Sequence, residues 1–134
     1  MSLILVRAAL EVALAGMSPA MATAWENGAF TPPAPSVPYQ AAYLIPAPPD
    51  NSEFGKAHFE QAIFQVSLYY PLQAGSNAAT ARAEMLRALF QRGASFTSSG
   101  VTVNVDKTPE VGQGTVEGDR WFLPVKVRVS AYIP

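Results

Sequence analysis

The residues from Trp121 to Ile133 alternate so regularly that they read as one long strand with a single apolar face. Trp121, Leu123, Val125, Val127, Val129, Ala131 and Ile133 take one side, and Phe122, Pro124, Lys126, Arg128, Ser130 and Tyr132 take the other. A strand of this kind needs partner strands along its edges and a layer over its apolar face, so the chain is committed to a covered sheet. Pro124 has no amide to give to a ladder and is expected at an edge, a bulge or the first paired position.

The rest of the chain supplies both partners and cover. Leu3, Val6, Leu10, Ala13, Leu14 and Met17 recur at three- and four-residue steps, with Arg7 and Glu11 facing away and Ser2 placed to cap the first turn. This amphipathic helix should stop near Gly16, with Pro19 preventing its resumption. Thr31 to Pro38 is proline-rich, which fixes φ and removes donors, so an extended arm is expected. Tyr39 to Ile45 follows as a strand ended by Pro46. In a second strand Ala62, Phe64, Val66, Leu68 and Tyr70 alternate with Gln61, Ile63, Gln65, Ser67 and Tyr69, up to Pro71.

Asn77 to Arg92 is alanine-rich and helical, with Ala81, Met85, Leu86, Leu89 and Phe90 as its inner stripe and Arg82, Glu84, Arg87 and Gln91 facing out. Val101, Val103 and Val105 form a third strand. The expectation is a single α+β domain spanning 1–134, ordered α-β-β-α-β-β. A mostly antiparallel sheet of about four strands would carry two helices packed on one face. The reverse face of that sheet stays open.

Composition removes several functional classes. Nine basic against ten acidic residues leave a net charge of −1, which is no footprint for nucleic acid or an anionic membrane. The absence of cysteine removes disulfides, a thiolate nucleophile and sulfur ligands for zinc. No segment approaches the roughly twenty apolar residues of a membrane span. The first two dozen residues imitate a signal peptide, with Leu3-Ile4-Leu5-Val6 and Ala22-Thr23-Ala24. However, Arg7 and Glu11 interrupt the apolar run and no basic residue precedes it, so the segment is expected to stay in the mature protein. Only 14% of residues are charged, so part of the surface is expected to be covered by other proteins.

Candidate chemistry is sparse. His58, the only histidine, lies near Glu60, and such a pair would suit a general base with an orienting carboxylate. Adjacent strand residues point to opposite faces, so the two side chains are not expected to meet without a bulge, and the expectation is a solvated or edge histidine. Gly112-Gln113-Gly114 leads toward a strand, with no helix start or lysine to meet a phosphate, and reads as a turn. Asp106, Glu110, Glu117 and Asp119 lack the ligand spacing of a calcium loop. Arg82, Arg87 and Arg92 step by five, about 140° around a helix, and do not form a phosphate-binding stripe. No catalytic residue, cofactor or metal is therefore expected. What stands out is apolar material on faces that should be wet: Phe122 and Tyr132 on the last strand, Ile63 and Tyr69 on the second. Either the sheet is covered on both sides or these residues mark a subunit interface.

Several segments in order resemble a known family. They are Trp25-Glu26-Asn27, Phe30-Thr31-Pro32, Pro38-Tyr39 leading to Leu44-Ile45-Pro46-Ala47, Phe64-Gln65-Val66 with Tyr70-Pro71, and Gly118-Asp119-Arg120-Trp121 leading into Pro124-Val125. Together they resemble the tail-terminator, or tail-completion, proteins of long-tailed bacteriophages and prophages. The resemblance implies a structural virion protein, located in the virion tail and in the host cytoplasm during assembly. It implies a homo-hexameric ring that caps the head-proximal end of the tail tube, stops its polymerisation and meets a head-tail connector protein. Its partners would be itself, the tail tube protein and that connector.

Relative to the longer members of that family, a short Asp50–Lys56 loop and no C-terminal extension are expected, so the family's contact residues are not expected to transfer individually. A ring needs two different patches on each subunit. The sequence offers Phe122, Lys126, Arg128 and Tyr132 as one, and the carboxylates of Asp50, Glu53, Glu117 and Asp119 as the other. Isolated protein is expected to be monomeric or weakly associating. Another head-tail connector subunit, a small ligand-binding module and a small enzyme built on His58 are the alternative readings.

Overall fold

The long alternating segment is the structural centre of the sheet. In a computed structural model describing residues 2–51 and 54–134, the elements are α1 (Ser2–Ala15), β1 (Thr23–Trp25), β2 (Tyr39–Asp50), β3 (His58–Pro71) and α2 (Asn77–Leu89). They are followed by β4 (Ser95–Ser98), β5 (Val101–Val105), β6 (Glu110–Val111), β7 (Thr115–Glu117) and β8 (Arg120–Ile133). The strands join in the order β1-β2-β3-β8-β5-β4, with β6 and β7 also paired to β8.

This corrects the expected sheet of about four antiparallel strands. Eight strands are present among the described residues, and the sheet is mixed because β1 runs parallel to β2, forming a half-barrel. The additional strands are short. β1, β6 and β7 have two or three residues each, too few for alternation to be legible.

β5, β6 and β7 lie one after another along the same edge of β8, opposite residues 129–131, 125–126 and 120–122. They behave as one strand broken twice. Pro124 explains one break. Its carbonyl accepts from Gly112 N at 2.9 Å, so the amide it lacks would also have pointed to that edge, where the ladder is interrupted between β6 and β7. On its other side Pro124 is in register with Ser67. Gly112 and Gly114 are needed for close approach: a Cβ on Gly112 would press on the Pro124 ring, and one on Gly114 would overlap the Trp121 indole.

β2 runs past Pro46, where the sequence predicts its end, to Asp50. β1 pairs only with residues 40–42, so beyond them β2 has no second strand partner among the described residues, and prolines cost nothing on such an edge. A bulge between Ala47 and Asp50 accommodates the Pro48-Pro49 pair.

The core lies between the helices and one face of the sheet. Val6, Leu10 and Leu14 of α1 and Ala83, Leu86 and Phe90 of the α2 region meet Phe64, Val66 and Leu68 of β3 and Val125, Val127 and Val129 of β8. Val6 and Leu10, expected among the most buried residues, are 2% and 0% exposed. In α2 the inner stripe is rotated from expectation. Ala79, Arg82, Ala83 and Leu86 are buried, while Ala81 is exposed and Met85 and Leu89 are only half-buried. Arg82, expected to face out, is 4% exposed.

Candidate subunit interface

Strand register assembles the sheet face opposite the helices row by row. Tyr39, Tyr69 and Phe122 form the first row across β2, β3 and β8. Tyr43, Gln65 and Lys126 form another, and Ile45, Ile63 and Arg128 the next. Asp50, Phe59 and Tyr132 close the far end. The face thus has an aromatic row at each end and a mixed polar and apolar middle.

The first row is continuous. Phe30 packs on Tyr39 at 5.3 Å between centroids, Tyr39 stacks on Tyr69 at 4.7 Å, and Tyr69 meets Phe122 at 5.3 Å. Aromatic pairs at these separations contribute beyond simple burial. The Tyr69 phenol is pushed up to about 12 by burial, with Glu117 adding negative charge and a hydrogen bond. At the far row Phe59 and Tyr132 pack edge-on at 5.2 Å. Tyr132 and Ile45 remain exposed.

Arg120 organises the first row, and sequence reasoning assigned it no role. Its Nη1 donates to the Val37 carbonyl at 2.6 Å, and its Nη2 to those of Pro33 and Ala34 at 2.6 and 2.9 Å. Its guanidinium lies 4.6 Å from the Tyr39 ring centroid. An arm of prolines has few donors and many free carbonyls, so a buried five-donor cation suits it. The signal was present in the sequence as an arginine beside Trp121 together with a long acceptor-rich arm, but nothing local linked the two.

The proposed interface residues are distributed as follows. Phe122 and Tyr132 lie in opposite end rows of one face. Lys126 is exposed, and Arg128 is paired through Nε with Glu110 Oε1 at 3.0 Å. Asp50 joins the Tyr132 row, whereas Glu117 and Asp119 lie at the Phe122 end, on β7 and in the turn after it. Glu53 lies outside the described residues. The carboxylates therefore flank the aromatic face at both ends.

Other residues serve local structure. Glu26, from the Trp25-Glu26-Asn27 segment, accepts from the Leu44 amide at 2.9 Å just past the β1 pairing and also pairs with Arg7 at 3.3 Å. Burial raises Glu11 above the usual carboxylate range, with Arg7 opposing the shift.

His58 and Glu60 do meet, with Nε2 to Oε1 at 2.8 Å, which corrects the expectation that their side chains stay apart: residues two apart share a face. The Ser2 hydroxyl donates to the same Glu60 oxygen at 3.1 Å, which ties the start of α1 to β3. The Lys56 carbonyl at Nδ1, and then Glu60, raise His58 above its ordinary value. Stability from the charged imidazole is thus complete below about pH 6.5 and is lost as pH rises through the higher folded value. The melting midpoint is expected to fall slightly from pH 6 to pH 8. His58→Gln should flatten that slope, and an unchanged slope would show that the pair does not act this way.

An α+β domain with its helices on one sheet face and an aromatic, carboxylate-flanked face on the other has the form of a protein that works by contact. The chain belongs to the phage tail terminator family, whose model, described as phage tail terminator protein, matches residues 5–129. It is a structural, non-enzymatic phage tail protein of the virion tail, and it acts with other tail proteins. A solved structure of a protein whose name states no function is similar over 100% of this chain and 98% of its own, with TM-score 0.81 and 31% sequence identity. A comparison with curated proteins finds no match.

Proposed function

We propose that six copies of the chain close into a ring on the head-proximal end of the tail tube, stop tube polymerisation and present a surface to the head-tail connector. The observation that carries this reading is the family match over residues 5–129. The open aromatic face supports it. A closed ring needs a heterologous contact, in which two different patches of each subunit meet. We assign the open face to one side of the contact: Phe122, Lys126, Arg128 and Tyr132 supply its aromatic and basic groups, and the carboxylates of Asp50, Glu117 and Asp119 flank it at its two ends. Aromatic anchors provide most of such binding energy, while rim charges set register and rate.

The test is the double variant Tyr132→Ala with Arg128→Glu, introduced into the phage or prophage that encodes the chain. Tyr132 gives up its edge-on contact with Phe59 and Arg128 its exposed pair with Glu110. Both lie on the open face outside the core, so the monomer's melting midpoint should fall only modestly and the fold should persist, while tails lose length control in electron micrographs. Tails of normal length that join heads would contradict both the surface and the capping role.

A further inference from the structure

Two features at opposite ends of the β2–β3 hairpin have no counterpart among the described residues. At the hairpin tip, Phe54 is fully exposed at 105%. At the other end, a groove of about 430 Å³ runs between α2 and the chain leading into β1, walled by Pro19, Met21, Val37, Tyr70, Ala81 and Met85. Arg82 also lines it, 4% exposed. Its Nη1 donates to the Pro19 carbonyl at 2.6 Å, but its Nε and Nη2 have no hydrogen-bond partner among the described residues. Burial lowers its pKa below the usual arginine value, and the neighbouring Tyr70 only partly opposes this. A desolvated cation in an apolar groove attracts the face of an aromatic ring and any carboxylate that arrives with it.

Phe54 cannot reach the groove of its own subunit. From His58 to Tyr70 the β3 strand takes twelve steps of roughly 3.3 Å, which separates the hairpin tip from the groove by about 40 Å. An anchor and a receptor at opposite ends of one subunit give the head-to-tail polarity that a ring requires. The hairpin end also carries the exposed Asp50, opposite in charge to Arg82.

We propose that the Phe54 side chain of each subunit seats in the Arg82 groove of the next copy of this chain. This inference rests on the ring reading and specifies one of its contacts. The Phe54 ring fills the space among Tyr70, Met21 and Met85 beside the guanidinium, and Asp50 approaches the same end of the neighbour.

The absence of cysteine allows a direct test in assembled tails. Lys56→Cys and Ala78→Cys place one thiol near the tip and one on the exposed rim of the groove, leaving Phe54 and Arg82 intact. Treating isolated tails with a short bismaleimide should give a ladder of covalent multimers up to six chains, and each single-cysteine variant should give none. Adding Phe54→Asp should abolish the ladder, whereas Phe54→Trp should keep it. Tails of normal length that yield no cross-link, or that keep length control with Phe54→Asp, would overturn this contact and leave the ring reading standing. Cross-links that form but stop at two chains would support the contact and contradict the ring.

Discussion

Leu10→Ala is expected to lower the stability of the isolated domain by about 2 to 5 kcal/mol, the range for removing a fully buried leucine when the site cannot collapse. Leu10 is 0% exposed at the centre of the α1 stripe, and it belongs to a core that includes Phe64, Val66 and Phe90. The lost side chain faces a sheet whose register is fixed over fourteen paired positions of β3 and β8, so the backbone has little freedom to close the gap. Urea denaturation measures the change directly. A loss below about 1 kcal/mol would mean that α1 packs loosely, and the role given to the first fifteen residues would have to be withdrawn.

Arg120→Ala is expected to cost about 3 kcal/mol and to release the proline-rich arm. Hydrogen bonds to a charged donor are worth about 1.5 to 3 kcal/mol each. Three carbonyls accept from Arg120, but those of Ala34 and Val37 belong to exposed residues that water can reach once the cation is gone, so the net loss is less than the sum. Stacking over Tyr39 adds a smaller amount. Arg120→Lys should recover only part of the loss, because one ammonium cannot span the same fork. Limited proteolysis separates local release from global unfolding. Cleavage within residues 31–38 should rise sharply in Arg120→Ala while the rest of the domain stays protected. An arm equally protected in both proteins would contradict the clamp.

The parts of this fold visible in the sequence are those with enough residues to show a period. β8 declares itself by thirteen alternating positions and β3 by ten, from Gln61 to Tyr70, and α1 by apolar steps of three and four. The short strands could not be read. β6 and β7 exist only because β8 offers them an edge, and β1 because Gln40, Ala41 and Ala42 offer another. The end of β2 was hidden for a different reason. Pro46 reads as a stop, yet it is tolerated where the strand has no further neighbour to receive a hydrogen bond.

At the candidate site, alternation placed Phe122, Tyr132, Tyr69 and Ile63 together on the face away from the helices, as strand register then shows. It did not show that Tyr39 would complete the aromatic row, because pairing between β2 and β3 is a tertiary fact. The arginines were the hardest to read. A charged residue in a helix reads as solvated, so Arg82 was placed outside, and burial of its guanidinium depends on the Pro19 carbonyl sixty-three residues away. Arg120 is likewise defined by acceptors more than eighty residues distant.

The central claim is a single ring of this chain at one end of the tail. Cryo-electron microscopy of isolated tails, with the chain identified by fitting its eight-stranded sheet, tests it most directly. The account predicts one six-fold layer per tail at the end that joins the head, with the open aromatic face in contact with other protein. Copies spread along the tube, a layer at the distal end, or a layer of another symmetry would contradict it.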